Sequence, residues 1–191
     1  SNFYANLKIS KDTDMYIKID TSPYENNEFF ILFKNVIDKA WMKLGQTLPS
    51  YGLKLDDHTS FIRGGNRTSL TDNSIDEGLF FDPLEINNPI SFETGIKLND
   101  NLRLNIAISN GFINSSESEM LNSSGSLNYL KLFNNLSMMA GVSYMTEEEV
   151  YSKGLFGGFS FNNLTVSFEV DDINNWIDFE NSRAVYAQCV Y

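Results

Sequence analysis

Alternation of apolar and polar residues is the feature of this sequence that most limits how the chain can fold. Residues 102–109 read LRLNIAIS, in which every second residue is Leu or Ile. Residues 92–98 (FETGIKL), 136–144 (LSMMAGVSY) and 164–170 (LTVSFEV) repeat the pattern. Because successive side chains of a strand point to opposite faces, a period of two indicates a strand with one apolar face. The sequence therefore predicts an all-β protein.

About eleven strands are predicted, and no linker-like change of composition separates them, so residues 1–191 are expected to form one domain. Residues 36–44 could also form a helix, but their alternation favours a strand. No apolar run approaches the ~18 residues of a membrane helix, which excludes a helical membrane protein. The predicted strands lie near 3–11, 15–21, 28–35, 38–46, 91–98, 102–110, 125–132, 136–145, 153–161, 163–170 and 182–191.

The predicted connections alternate between short and long. Short, Asn- and Asp-rich turns are expected at 11–14, 35–38, 99–101, 133–135 and 162–163. Long connections are expected at 22–27, 47–90, 111–124, 146–152 and 171–181. A soluble sandwich has no reason to place its long loops at one end, whereas a transmembrane β-barrel has short periplasmic turns and long extracellular loops. The aromatic residues near strand ends favour the barrel as well; they are Tyr16, Trp41, Tyr144, Trp176 and Tyr191.

Three segments resemble one family. Residues 39–53 (KAWMKLGQTLPSYGL) resemble a strand and the Pro-Tyr-Gly turn into a long loop in porins of the phosphate-selective (O/P) type. Residues 93–111 resemble that family's hairpin ending in Ser-Asn-Gly, and residues 184–191 are similar to a porin strand with an aromatic end. The resemblance covers about residues 28–191, in order, and implies an outer-membrane porin of a Gram-negative type of cell. Trimers are common in this family, so a homotrimer is expected.

The chain also departs from that family. Such porins have about sixteen or more strands, which is more than 191 residues can supply. The family's phosphate-binding arginines and lysines find no match one by one, so phosphate selectivity is not implied. An odd count of eleven places the two ends of the sheet on opposite sides of the membrane, which predicts at least one further strand before Ser1. A barrel of about twelve strands and part of a larger barrel both stay open.

If the apolar parity contacts lipid, the other parity lines the lumen. The lumen is then basic, although the chain carries 25 acidic against 14 basic residues and a net charge of −11. Such a lumen predicts a preference for anionic or neutral polar solutes; an accidental distribution of polar side chains is the alternative. The predicted pore-lining residues are Lys8, Lys18, Lys39, Lys43, Lys97, Arg103, Glu93 and Glu169.

The connection at 47–90 is too long for a plain hairpin, and loops of this length are commonly functional. We expect it to fold into the barrel and constrict the pore; a solvated outer lid is the alternative. His58, the only His, lies in this loop beside Asp56 and Asp57 with no evident nucleophile, so no catalytic residue is assigned. The same cluster has poor metal-ligand spacing, and neither a metal nor a cofactor is expected. The acidity excludes a general nucleic-acid binder.

The sequence thus predicts a porin of the cell outer membrane, not an enzyme, that allows passive diffusion through a water-filled barrel. Its partners would be outer-membrane lipids, lipopolysaccharide and small polar or anionic solutes. One alternative is a barrel that serves as a structural sleeve around a partner such as a multihaem cytochrome, which small residues such as Gly141, Ser143, Gly158 and Ser160 would suit. Another is a soluble all-β binding module.

Overall fold

The computed structural model describes residues 2–20, 27–47, 50–53, 89–111, 121–176 and 179–191, and over these residues the protein is all-β. Its eleven strands occupy the positions that the alternation predicts, including the 36–44 region, where a strand forms. The strands are β1 (Asn2–Lys8), β2 (Thr13–Asp20), β3 (Glu28–Lys34), β4 (Ala40–Gln46), β5 (Ile90–Lys97), β6 (Leu102–Asn110), β7 (Leu121–Leu132), β8 (Leu136–Glu147), β9 (Val150–Phe161), β10 (Leu164–Trp176) and β11 (Phe179–Val190).

The strands form one antiparallel sheet in chain order, β1 to β11. Every strand pairs with its sequence neighbours, so the described strands build no second sheet against which the apolar side chains could pack. With eleven antiparallel strands, β1 and β11 run in the same direction, and the described residues show no pairing between them. In the described part of the chain, no helix is long and apolar enough to cross a membrane.

Asparagine occupies the strained position of two short turns, as its tolerance of the left-handed conformation leads one to expect. Asn35, after β3, has a φ of 53°, and Asn162, after β9, has a φ of 52°. The turn at Asn162 connects β9 to β10 with only two residues. These predicted short turns are confirmed.

Two of the predicted long connections are wrong. The β8–β9 connection consists of Glu148 and Glu149 alone, and only residues 177–178 separate β10 from β11. The alternation simply continues through the polar ends of these strands: Glu147 pairs with Val150, and Glu148 takes the left-handed conformation that a two-residue hairpin turn requires. The charged residues at these strand ends therefore belong to longer paired strands and not to loops.

The two faces of the sheet differ in exposure as well as in composition. The apolar parity is exposed: Val142, Leu155 and Phe168 expose 49%, 54% and 44% of their surface. Toward one end of β5 to β10 the polar parity is buried, with Ser143 at 5% and Glu169 at 0%, and it becomes more exposed toward the ends joined by the short turns. A single sheet buries one face only where something encloses that face. The polar side is therefore the enclosed side of this sheet, and the apolar side faces outward.

Two of the aromatic residues expected in an outward belt lie on the polar side instead. The Tyr16 ring stacks on Phe30, with ring centroids 4.9 Å apart. Trp41 lies against Gly95 of β5, where a Cβ atom would collide with the indole ring. Tyr144, on the apolar parity, is 50% exposed as predicted. The period of two already assigned Tyr16 and Trp41 to the polar side of their strands, and in the structure both residues lie on that side.

Candidate functional site

The polar face encloses a short piece of the 47–90 connection. Ser50 donates a hydrogen bond to Oε1 of Glu93 on β5. The backbone N–H of Leu53 donates to Oε2 of Glu169 on β10, at 3.1 Å. Residues 50–53 therefore link β5 to β10, which are five places apart in the sheet order.

Tyr51 is the anchor of this segment. Its side chain is 2% exposed, and its hydroxyl lies 2.5 Å from Oγ of Ser152 on β9 and donates to Oδ1 of Asp171 on β10 at 3.2 Å. The neighbouring Gly154 has no side chain, and a Cβ there would collide with Asp171 and with Oγ of Ser143. Small residues on β8 and β9 thus leave the space that the Tyr51 ring and its acceptors need. The predicted connection enters the polar side at least over residues 50–53; residues 54–88, with Asp56, Asp57 and His58, lie outside the described residues.

Four acidic side chains of the polar face are buried. Glu93 and Glu147 are each 1% exposed, and Glu169 and Asp171 are 0% exposed. Glu93 forms an ion pair of 2.6 Å with Lys43, its cross-strand neighbour. Glu147 accepts a hydrogen bond from the amide of Asn122 at 3.4 Å. These four carboxylates are therefore shielded from solvent.

The basic side chains divide into paired and unpaired ones. Lys43 pairs with Glu93, and Lys18 pairs with Glu28 at 3.3 Å. Lys39, Lys97 and Arg103 are exposed and form no ion pair among the described residues. Lys8 is exposed on β1, opposite Asp14 in the register. Seven of the eight predicted pore-lining residues lie on the polar parity of a strand, and Lys39 lies in a turn. The exposed residues among the eight are all cations.

Three of these cations lie near one another at the same end of the sheet. Lys97 of β5 is the direct cross-strand partner of Arg103 on β6. Lys39 lies in the turn before β4, with a φ of 64°, and its carbonyl oxygen accepts a hydrogen bond from the backbone N–H of Lys97 at 3.0 Å. Like charges placed directly opposite each other repel and cost free energy. We call Lys39, Lys97 and Arg103 the cationic row.

A cavity of about 680 Å³ opens at the cationic row. Trp41 and Phe30 form its apolar wall, and Asn105 of β6 supplies a neutral amide. Asp38 is the only carboxylate among its described lining residues, whereas the cationic row, Lys34 and Lys43 all contribute to the lining. Lys34 is paired with Asp14, as Lys43 is with Glu93. The cavity therefore has an excess of positive charge beside an aromatic wall.

Sequence reasoning missed Tyr51 and Asp171 as parts of the polar interior. Asp171 was expected in a loop, yet it continues the alternation of Thr165, Ser167 and Glu169 and could have been found by extending that period. Tyr51 carries no such signal, because its place depends on chain that folds back after β4. No family model, no curated protein and no solved structure matches this chain.

Proposed function

We propose that this chain forms the wall of an outer-membrane β-barrel porin through which small polar solutes diffuse, with a preference for anions. One observation carries the proposal: apolar side chains are exposed on the outward face, and polar ones are enclosed. This is the reverse of a water-soluble sheet protein. Contiguous apolar surface exposed to water is unfavourable, and contact with lipid removes that cost.

The outward apolar face has the extent that a bilayer requires. From Leu136 to Tyr144, β8 covers about 26 Å along the strand, or about 20 Å across a membrane at the usual tilt of barrel strands. Above this band the outward face becomes polar, where Arg183 pairs with Asp172 at 2.6 Å and Lys153 lies close by. At the other end are the Asn-rich turns. A band of about this height, bounded by polar residues at both ends, is typical of outer-membrane barrels.

The preference for anions follows from which charges a solute could reach. The four buried carboxylates expose 1% of their surface or less, whereas the cationic row is exposed. Exposed charges of one sign in a narrow, low-dielectric passage raise the local concentration of the opposite ion. The accessible polar face is thus basic in a chain whose net charge is −11.

Residues 50–53 would narrow such a passage. They occupy space between β5 and β9–β10, whereas the cavity at the cationic row lies elsewhere on the described polar face. This supports the expectation that the 47–90 connection constricts the pore. A sleeve around a cytochrome is less well supported. Phe156 covers Gly141 and Ser143 is only 5% exposed, so of the four small residues that would suit a sleeve only Gly158 and Ser160, both half-buried, offer surface to an inserted partner.

The proposal is tested with purified protein in planar lipid bilayers. We expect discrete conductance steps and, in a KCl gradient, a reversal potential of the sign that anion selectivity gives. Replacing the cationic row (K39Q, K97Q and R103Q together) should move the reversal potential toward cation selectivity. The matched control, Lys153→Gln, removes a cation from the outward face and should leave it unchanged.

Detergent-dependent extraction and a heat-dependent shift of the band on a gel would accompany an outer-membrane barrel. The absence of conductance steps above the detergent background would overturn the pore. Cation selectivity of the unaltered protein would overturn the preference for anions alone. A haem chain that co-purifies in a fixed ratio would favour the sleeve, and solubility without detergent would favour the binding module. Chemical cross-linking in detergent would test the expected trimer.

A further inference from the structure

We propose that the cavity at the cationic row is a binding site for small organic anions that carry a carboxylate on a flat apolar body. This site would give the proposed porin a class of solute. Transport of that solute rests on the proposed function, whereas its binding to the site does not. The site holds three neighbouring cations, Lys97 and Arg103 on paired strands and Lys39 in the adjoining turn, that form no ion pair with the described residues.

The positive charge on the lining of this site exceeds the negative charge. Two other carboxylates of the polar face already have cationic partners, Asp14 in Lys34 and Glu93 in Lys43. Asp38 alone remains on the cavity lining, against the three cations of the row. A bound carboxylate would relieve the repulsion between Lys97 and Arg103, and the planar guanidinium of Arg103 suits the two oxygens of a carboxylate.

The aromatic wall sets the requirement for an apolar body. Trp41 packs against Gly95, and its side of the cavity is apolar. Phe30 is held by its stacking on Tyr16, and Nζ of Lys43 lies 5.4 Å from the Phe30 ring centroid. Inorganic phosphate or sulfate would use the cations and leave this wall in water. An aromatic or alicyclic carboxylate would use both.

The dimensions are consistent with such a ligand. Pockets for small molecules commonly have about 300–1,000 Å³, an apolar lining and a few polar groups that fix orientation. The cavity of about 680 Å³ lies within that range, and the amide of Asn105 adds a neutral group that can donate or accept. The site therefore combines charge, an aromatic surface and room for a ring.

Tryptophan fluorescence of the detergent-solubilised protein provides the test. The chain has two tryptophans, and the W176F variant leaves Trp41 as the only reporter. The probe is benzoate, compared with acetate, inorganic phosphate and benzylammonium. We expect saturable binding of benzoate with a Kd on the order of 1 mM, binding of acetate and phosphate about tenfold weaker or more, and no binding of benzylammonium. Isothermal titration calorimetry should give the same order of affinities.

Variants separate the site from general charge effects. Lys97→Gln or Arg103→Gln should weaken benzoate binding about tenfold, while the control Lys153→Gln should not change it; circular dichroism establishes that each variant is folded. Phosphate or acetate binding as tightly as benzoate would overturn the organic class. Absence of saturable benzoate binding, or unchanged binding in the Lys97 and Arg103 variants, would overturn the site. Because binding in detergent needs no open pore, this test can fail while the conductance test succeeds, and the reverse.

Discussion

The hydroxyl of Tyr51 lies 2.5 Å from Oγ of Ser152, a residue 101 positions further along the chain. Tyr51 comes just after β4, whereas Ser152 belongs to β9, on the other side of four intervening strands. The same hydroxyl donates to Asp171 on β10. This contact connects Tyr51 to strands far from β4, in a sheet whose extensive strand contacts are all between sequence neighbours.

Removing that hydroxyl should loosen the enclosed segment. Tyr51→Phe deletes a donor to Asp171, a carboxylate that is fully buried. A hydrogen bond to a charged group contributes about 1.5–3 kcal/mol. We expect a lower unfolding temperature in detergent and a larger single-channel conductance. The control is Tyr144→Phe, on the exposed outward face, which should alter neither. Unchanged values in the Tyr51 variant would mean that the segment is held by other contacts.

Trp41 packs against Gly95, which has no side chain, and replacement of Gly95 by Ala should displace the indole ring. A Cβ atom at Gly95 would collide with Trp41 and come within 2.6 Å of Oδ1 of Asn105. Overpacking of this kind costs about 1–3 kcal/mol. We expect Gly95→Ala to shift the Trp41 emission spectrum and lower the denaturation midpoint. Gly125→Ala is the matched control, because its Cβ would meet only the carbonyl oxygen of Asn105, at 3.3 Å. Equal effects of the two changes would contradict the proposed packing of Trp41 against Gly95.

The Lys43–Glu93 ion pair should behave as a buried pair. Lys43→Met leaves Glu93, whose side chain is 1% exposed, without its cation. Breaking a buried pair in this way costs about 3–5 kcal/mol, while replacing both partners is far less costly. We therefore expect the double variant K43M/E93Q to be more stable than Lys43→Met alone, measured as guanidinium midpoints.

The Lys18–Glu28 ion pair, on the same face but more exposed, is the control for the Lys43–Glu93 measurement. The side chains of Lys18 and Glu28 are 17% and 19% exposed. Because water screens this pair more, Lys18→Met should cost about 1 kcal/mol or less. A cost as large as that of Lys43→Met would show that burial of the acid does not set the penalty.

If the outward face contacts lipid, the cost of a lysine there should depend on its depth in the membrane; on a face in contact with water it should not. Val142 and Tyr151 are outward residues with 49% and 37% exposure, and Tyr151 lies beyond the apolar band, beside Asp172 and Arg183. In a bilayer, Val142→Lys should cost about 2–4 kcal/mol and Tyr151→Lys about 0–1 kcal/mol, measured by folding into lipid vesicles. On a water-exposed face, both changes would stay within about 0.5 kcal/mol. Two equally small costs would therefore contradict the proposed contact of this face with lipid.

The period of two was sufficient to locate all eleven strands, because side-chain direction in a strand depends only on local backbone geometry. It also assigned each of the eight predicted pore-lining residues to the polar parity. It misjudged the β8–β9 and β10–β11 connections, since Glu and Asp at strand ends were taken as loop residues. The β8–β9 register continues to the pair Glu147 and Val150.

The sequence by itself determined the strands, their order of polar and apolar faces and the excess of cations on one of those faces. Only the tertiary structure decided which charges are accessible, because Glu93, Glu169 and Asp171 are buried by contacts with residues 50–53 and neighbouring strands. The same contacts decided the place of Tyr51 and left Lys39, Lys97 and Arg103 together around one cavity. Period and parity are properties of neighbouring residues, whereas burial depends on segments that meet across a hundred residues of chain.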